Sequence, residues 1–309
     1  MRIRILGSAA GGRFPQWNCG CGNCVAVRKD SRGNKSLFKA RTQAQLALSA
    51  DGSAWFLAGA SPDLAFQIES CPDLHPRASR DSPISGVVLG SCDLDHIAGL
   101  LLLRELQPLR VYAAPSILRI LREENSMFGM LNRVEPQVEW TAMSSGAPFP
   151  LLSADAKDSG LLCEVFYLSG RYPKYVKTPL KELGNDEASA ALFFESAGKR
   201  VAYIPAVGSL SDALLKKIDG SDLLLLDGTF WSDDELQRVQ GSGETAHQMG
   251  HIPVEESLRL LKNINIKAGR KMFIHLNNTN PMLNEASAEN RAVRDAGWEV
   301  AEDNWQVEL

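Results

Sequence analysis

Ser91-Cys92-Asp93-Leu94-Asp95-His96 is a polar hexapeptide set between two apolar runs. Before it, Ile84-Ser85-Gly86-Val87-Val88-Leu89 is short and β-branched and predicts a buried strand; after it, Ile97-Ala98-Gly99-Leu100-Leu101-Leu102-Leu103 predicts a helix start. Carboxylates and an imidazole therefore stand at the C-terminal end of a strand. Open α/β layers bind ligands and metals there, because the strand fixes the backbone while its outgoing loop aims side chains into a crevice. The same residues also suit a plain helix N-terminus, with Asp93 or Asp95 capping exposed N–H groups and His96 solvated. The rest of the chain decides between the two.

At 309 residues the chain is long enough for one large domain or two, and 44% hydrophobic with 23% charged residues is an ordinary globular composition. A net charge of −4 offers no basic surface for nucleic acid or anionic lipid, which leaves a small-molecule or peptide substrate. The first residues alternate charged and apolar side chains, unlike a signal peptide, and no apolar run is long enough to span a membrane. A cytoplasmic location is the expectation. Of six cysteines, three fall in Cys19-Gly20-Cys21-Gly22-Asn23-Cys24, a spacing that lets three thiolates meet one zinc ion from a tight turn. Such a structural zinc would staple the segment Arg13 to Thr42, with a fourth ligand from elsewhere.

In chain order, Arg2 to Leu6 predicts a strand with Ile3 and Ile5 inward, followed by Gly7-Ser8-Ala9-Ala10-Gly11-Gly12, which lacks the phosphate-binding spacings and reads as a site of close backbone packing. Gln43 to Ser49 and Ala54 to Ala60 predict a hairpin around Asp51-Gly52, and Ser61-Pro62-Asp63 a helix start capped by Ser61. Strand and helix pairs then recur: Leu109 to Ala113 with Pro115 to Glu124, strands near 161–168, 190–195 and 200–205, and a helix from Ser211. Leu223-Leu224-Leu225-Leu226-Asp227 and Lys271-Met272-Phe273-Ile274-His275 are apolar strands with polar ends. His251 precedes a helix over Pro253 to Leu261, and a last helix covers Ala286 to Ala296. His75 has no ligand-like setting, His247 stands in a polar, glycine-rich loop over Gly241 to Gly250 near His251 with its role open, and Cys92 suits a small filler.

Asp93, Asp95, His96, Asp227, His251 and His275 thus come from separate segments but share one position, the end of an apolar strand or a helix entrance. Carboxylate and imidazole there form the ligand set of zinc, manganese or iron.

These landmarks in this order resemble the metallo-β-lactamase superfamily, which implies an α/β fold, an αββα sandwich, as a single domain over residues 1–309 with the knuckle at 19–24. More narrowly, Leu6-Gly7-Ser8-Ala9-Ala10-Gly11-Gly12, Pro15-Gln16-Trp17-Asn18-Cys19, Ala40-Arg41-Thr42-Gln43, Met249-Gly250-His251 and His275-Leu276-Asn277-Asn278-Thr279-Asn280-Pro281 resemble the PqqB family of pyrroloquinoline quinone (PQQ) biosynthesis. Against the superfamily's H-x-H-x-D-H, Ser91 and Asp93 stand at the two leading histidine positions, and neither the middle histidine near Ser169-Gly170-Arg171 nor the bridging aspartate near Ile204 to Val207 is present. One of the two metal positions is dismantled. Asp95, His96 and His275 remain, the composition of the non-haem Fe(II) triad, and a two-metal hydrolytic clamp is disfavoured.

The resemblance implies oxygenation, with Fe(II) and O2, of a tyrosine in a glutamyl-tyrosine-type product of the precursor peptide PqqA. In that reading Asp95, His96 and His275 hold iron, Asp93 ligates or orients a ligand, His251 handles protons, and Asp227 supports a ligand. Arg41, Arg171 and Lys174 are the candidates for substrate carboxylates. Expected partners are a small peptide-derived substrate or PQQ, other PQQ-biosynthesis proteins and a second copy in a homodimer, with no nucleic acid and no membrane. The alternatives are a non-catalytic PQQ carrier and a mononuclear zinc hydrolase. Related phosphodiesterases complete the cysteine knuckle with a histidine where this chain has Asn278, so the fourth ligand stays open.

Overall fold

The computed structural model describes residues 1–30, 37–135, 137–183, 185–262 and 269–309; residues 31–36 of the segment expected to be stapled by the knuckle lie outside them. Among the described residues the strands are β1 Arg2–Gly7, β2 Gln45–Ser49, β3 Trp55–Ala58, β4 Ile84–Val88, β5 Leu109–Ala113, β6 Val138–Ala142, β7 Phe149–Leu152, β8 Asp158–Leu168, β9 Ser189–Ser196, β10 Lys199–Ile204, β11 Leu223–Asp227, β12 Arg270–Ile274, β13 Glu299–Val300 and β14 Trp305–Glu308. Within the 309-residue span, contacts divide the chain into two compact units. Met1–Leu6, Gln45–Arg200 and Asn304–Leu309 form the first; Gly7–Ala44 and Val201–Asp303 form the second.

The first unit contains a sheet ordered β14-β1-β2-β3-β4-β5-β6. β1 pairs antiparallel with β14, and its Ile3 and Ile5 are fully buried, each worth about 1.5–3 kcal/mol. β2 and β3 form the expected hairpin, turning at Gly52 with φ 89°. From β3 to β6 the pairing is parallel. Every residue of β3, β4 and β5 is buried, as strands in parallel pairing require when both faces are covered. The core gathers Trp55, Leu57, Val87, Val111, Ile117 and Leu121. β7, β8 and β9 follow as an antiparallel meander.

Local chemistry corrects several expectations in this unit. The residues after the hexapeptide form one α-turn, Leu94–Ile97, and then a 3-10 helix, Ala98–Leu103, in place of a regular helix. Gly99 explains the tightness: a Cβ there would lie 2.2 Å from the Ser61 carbonyl oxygen, while its N–H donates to Ala60 O at 2.8 Å. Asp63, not Ser61, holds the N-cap position of Leu64–Glu69, and Ser61 Oγ instead accepts the Asp63 N–H and donates to Gln67. The Pro115 helix is α-helical to Arg119 and continues as a π-helical turn, Ile120–Glu124.

In the second unit β10 (from Val201), β11, β12 and β13 pair in parallel, with Ile204 beside Leu226, Leu226 beside Phe273, and Phe273 beside Val300. Helices Asp212–Ile218, Glu235–Gln240, Val254–Lys262 and Ala288–Asp295 lie in the connections. Ser211 and Ser287 cap the first and last of these by accepting the N–H groups of Leu214 and Asn290. The Glu235–Gln240 helix went unread in the sequence. The small-residue loop is threaded between two chain segments: Ala9 N–H donates to Thr42 O, Ala44 N–H to Ala9 O, Ala10 N–H to Leu276 O, and Leu276 N–H to Ser8 O. Close backbone packing is indeed its function, since Ala9 is fully buried. The C-terminal ends of β11 and β12 then deliver Asp227 and His275.

Candidate metal centre

In the second unit, Asp227 is wholly buried at the end of β11, an arrangement that costs free energy unless its charge is met. It is met four times. Asp227 accepts the Val207 N–H at 2.9 Å, the Thr229 N–H at 3.0 Å, the Thr229 hydroxyl at 2.7 Å, and His251 Nδ1 lies 2.8 Å from its Oδ2. Burial alone would raise the carboxyl's pKa; the histidines 251 and 275 and the Val207 N–H outweigh it and hold the group below its ordinary value.

Thr229 Oγ1 also lies 2.8 Å from His275 Nδ1 and 3.1 Å from His251 Nδ1. The hydroxyl has one proton, and Asp227 Oδ1 takes it. His275 Nδ1 must therefore be the donor toward Thr229, and His251 Nδ1 the donor toward Asp227. That assignment leaves Nε2 of each ring as the atom that could meet a metal. The rings stack at 5.5 Å between centroids with a 25° interplanar angle, and Phe230 meets His251 edge-on at 5.8 Å. His275 itself sits at φ 62°, a left-handed conformation that a non-glycine residue holds only where its surroundings over-determine it.

In the first unit the hexapeptide starts as expected, past the end of β4. Asp93 occupies the N-cap position with extended backbone and is exposed; Asp95 is partly exposed and His96 is buried. Asp95 Oδ2 and His96 Nε2 lie 3.9 Å apart. Two donors each about 2.1 Å from one ion are at most about 4.2 Å from each other, so the pair fits a shared metal. Cys92 is fully buried, with burial and the neighbouring Asp93 charge pushing its thiol up to about 12, which makes it an inert filler. Its carbonyl accepts the Tyr175 hydroxyl, which ties the loop around Arg171 and Lys174 to the hexapeptide.

The thiols of Cys19, Cys21 and Cys24 also come together in the second unit, with Sγ atoms within 4.8 Å of one another. Burial pushes Cys24 up to about 11, crowding by Cys21 and Cys19 adding to it, whereas Cys19 is lowered despite its burial by hydrogen bonds from the Cys21 N–H, the other thiols and Asn278.

Residues 54–276 match the family described as "Beta-lactamase superfamily domain". Over the full length of both chains, the protein is 40% identical to coenzyme PQQ synthesis protein B of Methylobacterium sp. (strain 4-46) and 40% identical to that of Rhodopseudomonas palustris (strain TIE-1). The crystal structure of Zn2+-bound PqqB from Methylobacterium extorquens covers all of both chains with a TM-score of 0.89 at 37% identity. The chain belongs to the PqqB family.

Membership of the PqqB family fixes the fold as metallo-β-lactamase, as the sequence resemblance implied. Within it, Asp227, His251 and His275 meet in one network and the three cysteines in another. Thr229, absent from the candidates the sequence offered, joins Asp227 to His275; the signal available was its spacing, two residues after a strand-end aspartate. Arg41 is corrected. It is 5% exposed, and its guanidinium donates to Ser8 Oγ and the Ala301 carbonyl, with the Asp303 charge nearby. It braces the small-residue loop from inside and cannot meet a substrate. Arg171 and Lys174 are exposed, as a contact with an anion needs. His247 pairs on the surface with Asp233 at 2.9 Å and Glu256 at 3.3 Å.

Proposed function

We propose that this protein acts in PQQ biosynthesis as an Fe(II)-dependent hydroxylase of the tyrosine ring in a glutamyl-tyrosine-type intermediate derived from PqqA. The names of its full-length relatives support the pathway. The observation that carries the chemistry is the donor set: two imidazoles and one carboxylate, with serine and aspartate where hydrolases of the superfamily place histidines.

In this reading Asp95, His96 and His275 hold the iron. When bound, iron supplies the activation of dioxygen that an amino-acid side chain cannot provide. Ring hydroxylation forms one C–O bond, and the second oxygen leaves as water, so an external two-electron reductant and two protons are consumed. Thr229 keeps the His275 ring in one tautomer and one orientation. His251, its Nδ1–H held by Asp227, accepts a proton at Nε2 from the substrate phenol and returns it to that oxygen as the hydroxylated ring carbon gives up its own proton to solvent and the ring regains aromaticity. Arg171 and Lys174 take the carboxylates of the substrate, and Asp93 orients a ligand from the rim.

The test is iron stoichiometry and oxygen uptake on protein loaded anaerobically with Fe(II) and given a glutamyl-tyrosine dipeptide, wild type beside Asp95→Ala. The expected result is about one iron, lost with Asp95, and substrate-dependent oxygen uptake. Iron-free protein that consumes no oxygen but binds PQQ tightly, indifferent to Asp95→Ala, would replace the hydroxylase by a carrier. Anaerobic cleavage of a chromogenic ester would replace it by a zinc hydrolase.

A further inference from the structure

The side-chain amide of Asn278 sits over the three knuckle thiols. Its Nδ2 lies 3.1 Å from Cys19 Sγ, 3.6 Å from Cys21 Sγ and 3.4 Å from Cys24 Sγ. In a tetrahedral zinc site with Zn–S of about 2.3 Å and Zn–O of about 2.0–2.2 Å, each sulfur lies about 3.6 Å from the oxygen ligand. The head of Asn278 therefore stands where the fourth vertex of the tetrahedron belongs. Asn278 is 4% exposed, and its side-chain amide lies within 3.6 Å of all three sulfurs, whereas its carbonyl oxygen reaches only Cys21 Sγ, at 3.8 Å. Its backbone is clamped independently: Asn23, in the first turn of the Gly22–Asp30 helix that carries Cys24, donates to the carbonyls of Asn278 at 3.2 Å and Asn280 at 3.0 Å.

We propose that Asn278 is the fourth ligand of the knuckle zinc, through Oδ1. With the thiols metal-free, the amide turns its NH2 toward sulfur as a donor. With zinc bound, three thiol protons leave to solvent and the amide turns over by 180°, exchanging oxygen for nitrogen at the same place, a change that needs no backbone movement. The three thiolates and one neutral amide give a site of net charge −1, closed to water and therefore structural. A carbonyl oxygen is a weaker zinc donor than imidazole, so this knuckle holds its ion less tightly than a Cys3His knuckle of the same geometry would. This inference stands on the second unit alone and does not depend on the hydroxylase reading.

Zinc K-edge absorption on full-length Asp95→Ala protein, with one zinc bound, tests it. The expected shell is three sulfurs at about 2.3 Å and one oxygen or nitrogen at about 2.0–2.2 Å. Zinc release to a colorimetric chelator, followed on chains whose circular dichroism matches wild type, should quicken about tenfold or more in Asn278→Ala and slow below the wild-type rate in Asn278→His; Asn278→Asp, which keeps the oxygen, should release no faster than wild type. Release from Asn278→Ala at the wild-type rate, a shell without a light ligand, or no zinc in the wild-type knuckle overturns the assignment. If Asn278→Ala fails to fold, the His and Asp rates decide alone.

Discussion

The thiol cluster and the histidine network lie in the same unit and are built on opposite principles. Around Asp227 every donor has an acceptor: the Thr229 hydroxyl and the His251 ring both give a proton to the carboxylate, and His275 gives one to Thr229. The network is closed without a metal, and two imidazole nitrogens are left over as a product of that closure. Cys19, Cys21 and Cys24 have no such balance. Three acidic groups face one neutral amide, and only a cation turns their proximity from a cost into a gain. One region is closed by its own hydrogen bonds; in the other, the proposed zinc would add the bonds that lock the thiols and the amide together.

The largest expected effect follows directly. Stripping the proposed knuckle zinc with a strong chelator should lower unfolding stability by on the order of 5 kcal/mol, measured by urea denaturation before and after re-addition of zinc. A chelated protein as stable as the holoprotein would place the knuckle in the self-sufficient class. Thr229→Val comes next. It keeps the shape but takes the hydroxyl from His275 Nδ1 and removes one of the two hydrogen bonds at Asp227 Oδ1, which still accepts the backbone N–H of residue 229, a cost of about 1–3 kcal/mol. Iron affinity at the proposed site should fall about 10–100-fold, read by anaerobic titration. An unchanged affinity would mean that His275 is oriented by its left-handed backbone alone.

The smallest effect concerns Glu235, which bridges the two loops: it accepts the Trp231 N–H at 2.6 Å and the Thr279 hydroxyl. Burial pushes its pKa from 4.5 up to about 7, against the pull of those hydrogen bonds. Between these values the folded chain holds a proton that the unfolded chain releases. The stabilisation is complete below about pH 4.5, is lost as pH rises and is gone above about pH 7. Glu235→Gln should flatten that slope in urea titrations at pH 5 and 8.

Strand β11 was legible as an unbroken apolar run ending at Asp227 and β4 as a short β-branched run ahead of the hexapeptide, and the sequence places His275 just past β12 correctly. The pairing of three thiols is also a matter of local spacing. Other features depend on contacts that spacing does not encode. The Leu94–Leu103 segment tightens because Gly99 presses on Ser61 from a distant stretch. Arg41 looked like a substrate cation because charge carries no direction, and burial decides which way it points. Asn278 registered only as a missing histidine, since an amide declares itself a ligand by its position and by nothing in its chemistry.

The buried alanine at position 9 has a consequence for how this protein can change. Ala9 and its neighbours act as a shim between Thr42–Ala44 on one side and Leu276 on the other, one residue from His275. A larger side chain there would wedge both apart at once, so the shim admits almost no variation. The exposed loop bearing Arg171, Lys174 and Lys177 can drift freely while its anchors Tyr172 and Tyr175 pack against the core. Under the proposed function, new substrate preferences would arise by rewriting that loop, with the histidine network inherited unchanged.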